Sequence, residues 1–178
     1  MNYLYYGDNL DVLRRHGETE SVDLVYLDPP FDSNQNYNAL FEEQNGSRAA
    51  SQIHAFEDTW IWTQETETVF TEIAAAGGRV SDCLRAFRSF LGEPDMLAYL
   101  VMMAPRLIEL RRTMKSTASI YLHCDPTSSH YLKVLMDRVF GPANFRNEII
   151  WQRKAGRGET NNSAVRFGVS QKGSGQGN

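Results

Sequence analysis

An α/β fold is what this 178-residue sequence predicts, and three features predict it. The apolar run Val22–Leu27 reads as a buried strand. A strand–helix–strand order with short connections occupies the residues up to Leu27. Farther along, a long helical run, a strand and another helix succeed one another before a last strand.

Taken in order, Tyr3-Leu4-Tyr5-Tyr6 reads as a short first strand ending at Gly7-Asp8. Asn9 to Arg15 reads as a helix with Leu10 and Leu13 on one side, and Asp23 to Leu27 as the second strand. From Asp32 to about Gly92 the periodic signal weakens. Asp32 to Asn38 is loop chemistry, and Gln44-Asn45-Gly46-Ser47 is a turn. Trp60 and Trp62 share a face if that stretch is extended, so they either stack on a base or fill a lid over the core. Thr66–Ala76 and Val80–Leu91 read as helices stopped by Gly77-Gly78 and Gly92.

Met96 to Lys115 carries Leu97, Leu100, Val101, Ala104, Leu107, Ile108 and Met114 at helical spacing. Pro105 within it predicts a kink or break near Met102. Arg106, Glu109, Arg111 and Arg112 fall on its expected solvated face. Ser119–His123 reads as the third strand, Tyr131–Phe140 as a helix closed by Gly141-Pro142, and Glu148–Trp151 as the fourth strand. From Ala155 to Asn178 the apolar content collapses and glycines accumulate, which predicts a flexible polar tail.

Composition bounds the function. The chain is 42% hydrophobic, ordinary for a folded domain with its own core. Its net charge of −4 argues mildly against a strongly DNA-bound surface, since phosphate contacts need Lys and Arg. The late part is nevertheless locally basic: Arg146, Arg153, Lys154, Arg157, Arg166 and Lys172 face only Glu148 and Glu159 in that stretch. Cys83 and Cys124 make neither a disulfide framework nor a zinc pattern. No leader-like start and no membrane-length apolar run is present, so a cytoplasmic protein is expected, with no membrane partner.

The chemistry concentrates at Asp28-Pro29-Pro30-Phe31, directly after the second strand. In open α/β sheets ligands bind at strand carboxyl ends. Asp28 offers a carboxylate acceptor. The two prolines fix φ and aim their carbonyls, and Phe31 offers a flat π face. That set suits a planar amine: acceptors hold the NH2 group while the ring stacks. The bland alternative is a stiff strand-to-loop turn. Asp8, at the end of the first strand, is either a ligand acceptor or the cap of the following helix. His123-Cys124-Asp125 invites a metal, but its spacing fits no zinc pattern, and a pocket wall with Asp125 capping the next turn is the better reading.

Three stretches together resemble one family: Leu4-Tyr5-Tyr6-Gly7-Asp8-Asn9-Leu10, the run from Val22 to Asn38, and the run from Ser119 to Trp151. D-P-P-F resembles the catalytic motif of amino-methyltransferases. The whole resembles bacterial site-specific DNA methyltransferases of the adenine-N6 type with permuted motif order. The resemblance implies a Rossmann-like S-adenosylmethionine-dependent fold with a largely parallel sheet, S-adenosyl-L-methionine as cofactor and double-stranded DNA as substrate. It implies catalysis by Asp28, Pro29, Pro30 and Phe31, and cofactor binding by Asp8, Asn9 and Asp28. Substrate contacts are expected from Phe31, Asn34 and Tyr37. Arg153 and Lys154 are either phosphate contacts or a solvated loop.

Residues 1–154 are then a partial catalytic domain, with 32–92 an insertion or lid and 155–178 the tail. The family's F-x-G-x-G strand–turn is missing, because Gly173–Gly177 lacks the flanking strand and helix. The sheet is therefore expected to be incomplete at its carboxyl end, and the chain alone weak or inactive. A restriction subunit or a second copy of the chain are the candidate protein partners. Cytosine-N4 methylation and a non-catalytic nucleic-acid-binding or subunit role are the rival readings.

Overall fold

The computed structural model of the chain describes residues 2–29, 61–92, 95–152 and 165–172. Five α-helices are found there, α1 (Asn9–His16), α2 (Gln64–Ala76), α3 (Gly78–Leu91), α4 (Asp95–Thr113) and α5 (Pro126–Phe140), with a short 3-10 turn at Pro142–Asn144. With them are four strands, β1 (Val22–Leu27), β2 (Met114–Cys124), β3 (Phe145–Gln152) and β4 (Val165–Lys172). The strands form one sheet in the order β1-β2-β4-β3.

β1 and β2 pair parallel, with Leu24 opposite Ser119, Tyr26 opposite Tyr121 and Leu27 opposite Leu122. A parallel pair needs a long crossover, and α2, α3 and α4 lie within it. β4 pairs antiparallel with both β2 and β3. The largely parallel sheet expected from the sequence is thus mixed among the described strands.

Side-chain alternation divides the sheet into a packed face and an open one. Val25, Ile120, Leu122 and Cys124 are buried. Leu24 and Tyr26, on the opposite face of β1, are 59% and 69% exposed. The helices touch one another in a continuous set (α1 with α4, α2 with α3 and α4, α3 with α4 and α5, α4 with α5). The described residues therefore form two layers, helices against one sheet face. A second helical layer, as in a doubly covered sandwich, is not among them.

α4 is the centre of the core. Leu97, Leu100, Val101, Ala104 and Leu107 have no solvent exposure, and Leu132, Leu135 and Met136 of α5 pack into the same cluster. Neighbouring helices surround α4, which is why its apolar positions run nearly all round. Pro105 does not break it; the helix runs unbroken from Asp95 to Thr113. Arg106 donates through its guanidinium to the Met102 carbonyl at 2.7 Å, next to the point where the proline has removed a backbone donor.

Four further expectations change. Tyr3–Tyr6 joins no described strand. Leu4 and Tyr6 are almost wholly exposed, and Tyr5 instead stacks on His16 at 4.8 Å. Its β-prone residues pair with no strand among the described residues, and propensity alone does not make a strand. Part of the span expected as a lid is core: Phe70 of α2 and Leu84 and Phe87 of α3 are buried. Residues 165–172, expected within a flexible tail, form β4, so a strand does run up to Gly173, where none was expected. There the period-two pattern Val165, Phe167, Val169 outweighs the glycine-rich composition once two strands are available to pair with. Finally, β2 begins at Met114, five residues before the expected start at Ser119, because the turn Glu20-Ser21 bonds to the Arg112 and Thr113 carbonyls and starts β1 beside it.

Gly17 ends α1 with an ordinary φ of −77°, so its reason for being glycine is space. A Cβ there would lie 2.6 Å from the Leu13 carbonyl oxygen and 2.7 Å from the Thr113 methyl.

Leu122→Ala should lower unfolding free energy by about 2–5 kcal/mol, because it empties a fully buried site between sheet and helices. Tyr26→Ala, on the open face, should change it by under about 0.5 kcal/mol. Urea denaturation followed by far-ultraviolet circular dichroism measures both; equal losses would contradict the two-layer division.

Candidate active site at the carboxyl ends of the parallel strands

The register that sets Leu27 beside Leu122 brings the next residues together, Asp28 after β1 and His123 near the end of β2. His123 Nδ1 lies 2.8 Å from Asp28 Oδ1. With the proton on Nδ1, the imidazole donates to the carboxylate. The Asp28 side chain remains 59% exposed while that of His123 is 18% exposed. The carboxylate is thus held from one side and open to solvent on the other. By the alternation of both strands, the pair belongs to the open face shared by Tyr26 and Tyr121. Pro29 follows, half-buried. Pro30, Phe31, Asn34, Tyr37, Arg153 and Lys154 lie outside the described residues.

His123, Cys124 and Asp125 diverge, as neighbouring residues on a strand must. His123 meets Asp28. Cys124 is fully buried on the packed face. Burial, and then the charges of Asp125 and Glu148, push its thiol up to about 12, against 9.0 for an ordinary thiol. Such a thiol stays protonated and is a poor metal ligand. Asp125 caps α5 by accepting from the Ser128 backbone N–H at 3.0 Å. The capping role expected for Asp125 is what the geometry gives. His123 was expected only as a pocket wall, and its pairing with Asp28 was missed. The signal that could have found it is the equal footing of two strand ends, which needs the register.

Asp8 and Asn9 sit at the start of α1. The chain turns at Gly7 with φ 138°, open to glycine and strained for other residues. Asp8 Oδ1 accepts from the Leu10 N–H at 2.7 Å, so the residue caps the helix. Its Oδ2 accepts from Arg106 at 2.6 Å, and Asn9 Oδ1 accepts from the same guanidinium at 2.8 Å. At the other end, Arg112 donates to the Leu13 and Gly17 carbonyls. α1 buries no residue fully. Two arginines of α4, expected on a solvated face, tie down both its ends instead. A carboxylate has about four lone-pair sites, and Asp8 is half exposed. Its cap and ion pair therefore leave acceptor capacity for a further donor.

Trp62 packs against the core. Its ring lies 6.0 Å from that of Phe70, its Nε1 donates to Glu67 at 3.2 Å, and the Arg88 guanidinium covers it. Of the two readings open for the tryptophans, Trp62 takes the packing one, and Trp60 is outside the described residues. Arg88 also bonds Glu67 at 3.0 Å and holds that carboxyl below its ordinary range.

A family model described as DNA methylase matches residues 22–171. The chain is 30% identical over 158 residues to the type III restriction-modification enzyme StyLTI Mod subunit of Salmonella typhimurium, across 86% of this chain and 20% of that protein. It is 26% identical over 164 residues to the type II methyltransferase M.KpnI of Klebsiella pneumoniae, across 90% and 29%. Against the type III restriction-modification enzyme EcoP15I Mod subunit of Escherichia coli it is 22% identical over 159 residues, across 87% and 21%. The chain thus spans between a fifth and under a third of the length of these curated relatives.

A double-mutant cycle on Asp8→Ala and Arg106→Ala should give a coupling of about 0.5–3 kcal/mol in urea denaturation. Zero coupling would remove the ion pair as the anchor of α1. For Cys124 the raised value means the neutral thiol contributes stability that is complete below pH 9 and lost as pH rises toward 12. Stability should therefore fall more steeply above pH 9 in the native chain than in Cys124→Ser. Parallel slopes would contradict the buried, protonated thiol.

Proposed function

The chain belongs to the DNA methylase family whose model spans residues 22–171, and from that membership we propose that it transfers a methyl group from S-adenosyl-L-methionine to adenine N6 in double-stranded DNA. The observation that carries the proposal is the exposed Asp28 carboxylate at the carboxyl end of a parallel strand, immediately before Pro29. The adenine assignment is what the resemblance to adenine-N6 methyltransferases implies of Asp28, the acidic first residue of the motif.

The residues of the strand ends suit this chemistry. An adenine amine is a weak nucleophile, because its lone pair is delocalised into the ring. Asp28 accepts one amine hydrogen and the Pro29 carbonyl the other, which draws the nitrogen toward tetrahedral geometry and frees the pair. This is orientation and preorganised electrostatics, with no covalent enzyme intermediate. When the nitrogen gains the methyl group it sheds a proton, and the Asp28 carboxylate is the base within reach. The base must leave the duplex to be reached; Phe31, with Asn34 and Tyr37, is proposed to hold it, and Arg153 and Lys154 to contact phosphates.

S-adenosyl-L-methionine, when bound, supplies an electrophilic methyl on a sulfonium. Asp8 has the acceptor chemistry for the cofactor's adenine amine, and Asn9 lies beside it. Asp28, the third residue proposed to bind the cofactor, follows the end of β1. No F-x-G-x-G stretch occurs in the sequence, so cofactor affinity of the chain by itself is expected to be low. Two relatives are Mod subunits of restriction-modification enzymes, which makes a restriction subunit a candidate partner alongside a second copy of the chain.

In a single-turnover assay at saturating tritiated cofactor and high chain concentration, the chain should label unmethylated duplex DNA at adenine N6, at the low rate expected of a partial catalytic domain. Asp28→Ala should lose on the order of 100-fold or more in rate while keeping its circular dichroism spectrum. Label on cytosine N4 would replace the substrate assignment, and no label at all would overturn the activity. Calorimetric titration of the chain with the cofactor should show affinity weaker than micromolar; a micromolar constant would contradict the expected low affinity.

A further inference from the structure

We infer that His123 is a positioning residue for the Asp28 carboxylate, an assignment that rests on the methyl-transfer reading above and deepens it. Three observations converge on it. The parallel register of β1 and β2 sets the two residues side by side at the strand ends. The contact itself is a hydrogen bond of 2.8 Å from Nδ1 to Oδ1. Burial is unequal, with the His123 side chain 18% exposed and that of Asp28 59% exposed, so the imidazole is the fixed partner and the carboxylate the one it fixes.

A carboxylate on a strand end turns freely about its last torsion. An amine hydrogen must meet an oxygen at hydrogen-bond distance and in line, and a free rotor satisfies that only part of the time. His123 removes the freedom. It occupies Oδ1 and leaves Oδ2, on a side chain that is 59% exposed, as the oxygen available to an amine hydrogen. The rigidity comes from the sheet: Leu122 and Cys124, on either side of His123, are wholly buried on the opposite face. The bond requires a proton on Nδ1, so the neutral imidazole is committed to one tautomer. The backbone alone does not give this, because Asp28 lies one residue beyond the last paired residue of β1.

The test uses the full 178-residue chain, labelled with 15N in histidine. Long-range proton–nitrogen spectra should show the His123 proton on Nδ1, and in Asp28→Ala the resonance pattern should revert toward the ordinary Nε2–H tautomer. An unchanged pattern would overturn the contact. In the single-turnover assay, His123→Phe should slow transfer on the order of 100-fold, as expected for a misplaced catalytic group, with DNA affinity unchanged. His123→Asn, whose amide nitrogen can donate from nearly the same position, should recover most of the rate. If His123→Phe transfers at the native rate, or folds and fails exactly as His123→Asn fails, the positioning role is lost while the methyl-transfer reading stands. If the unaltered chain transfers no methyl group, that reading falls and takes the role with it, whatever the spectra show of the contact.

Discussion

The parallel pairing of β1 with β2 is the constraint on which the site depends. Each strand by itself ends in polar residues of no fixed relation. Paired in the observed register, they end together, and an acid from one meets an imidazole from the other. A slip of one residue would turn every side chain of β1 to the opposite face. Val25 would leave the core, and Asp28 would point to the packed side of the sheet. Burial of Val25 against Ile120 and Leu122 thus enforces the register, and the register sets the chemistry.

The helical layer keeps that pairing in place. β1 and β2 are joined by a crossover whose last element, α4, is the most buried of the described helices. The chain enters β1 from α1 through a turn bonded to the end of α4, by Glu20 N–H to the Arg112 carbonyl and Ser21 N–H to the Thr113 carbonyl. Arg106 and Arg112 then fix α1 at both ends through carbonyl and carboxylate acceptors. α4 therefore delivers the start of both strands, and the bonds it makes are polar where α1 has little apolar surface to bury. Lys115 and Asp23, paired at 2.8 Å, mark the opposite end of the same strand pair.

Much of this was legible in the residues. The helices α2, α3, α4 and α5 and the strands β1 and β2 follow from apolar spacing and from glycine and proline stops. Asp28 and Pro29 stood out because acid and proline right after an apolar strand have few structural uses together. What failed did so for definable reasons. Tyr3–Tyr6 has strand-forming residues and no partner strand among the described residues. Val165–Lys172 has a partner and a composition that hides it. Arg106 and Arg112 looked solvated because helical spacing shows which side a residue takes, but not whether another chain segment crosses that side.

The order of residues alone determined the α/β character, the apolar core of α4 and α5, and a proline-stiffened acid at the end of a strand. These are local facts, set by spacing, backbone restriction and side-chain type. Only the tertiary structure decided that β4 enters the sheet between β2 and β3, that Asp8 caps a helix while paired with Arg106, and that His123 holds Asp28. Each of those joins residues far apart in the chain, and their meeting is set by strand register and packing, which no local pattern encodes.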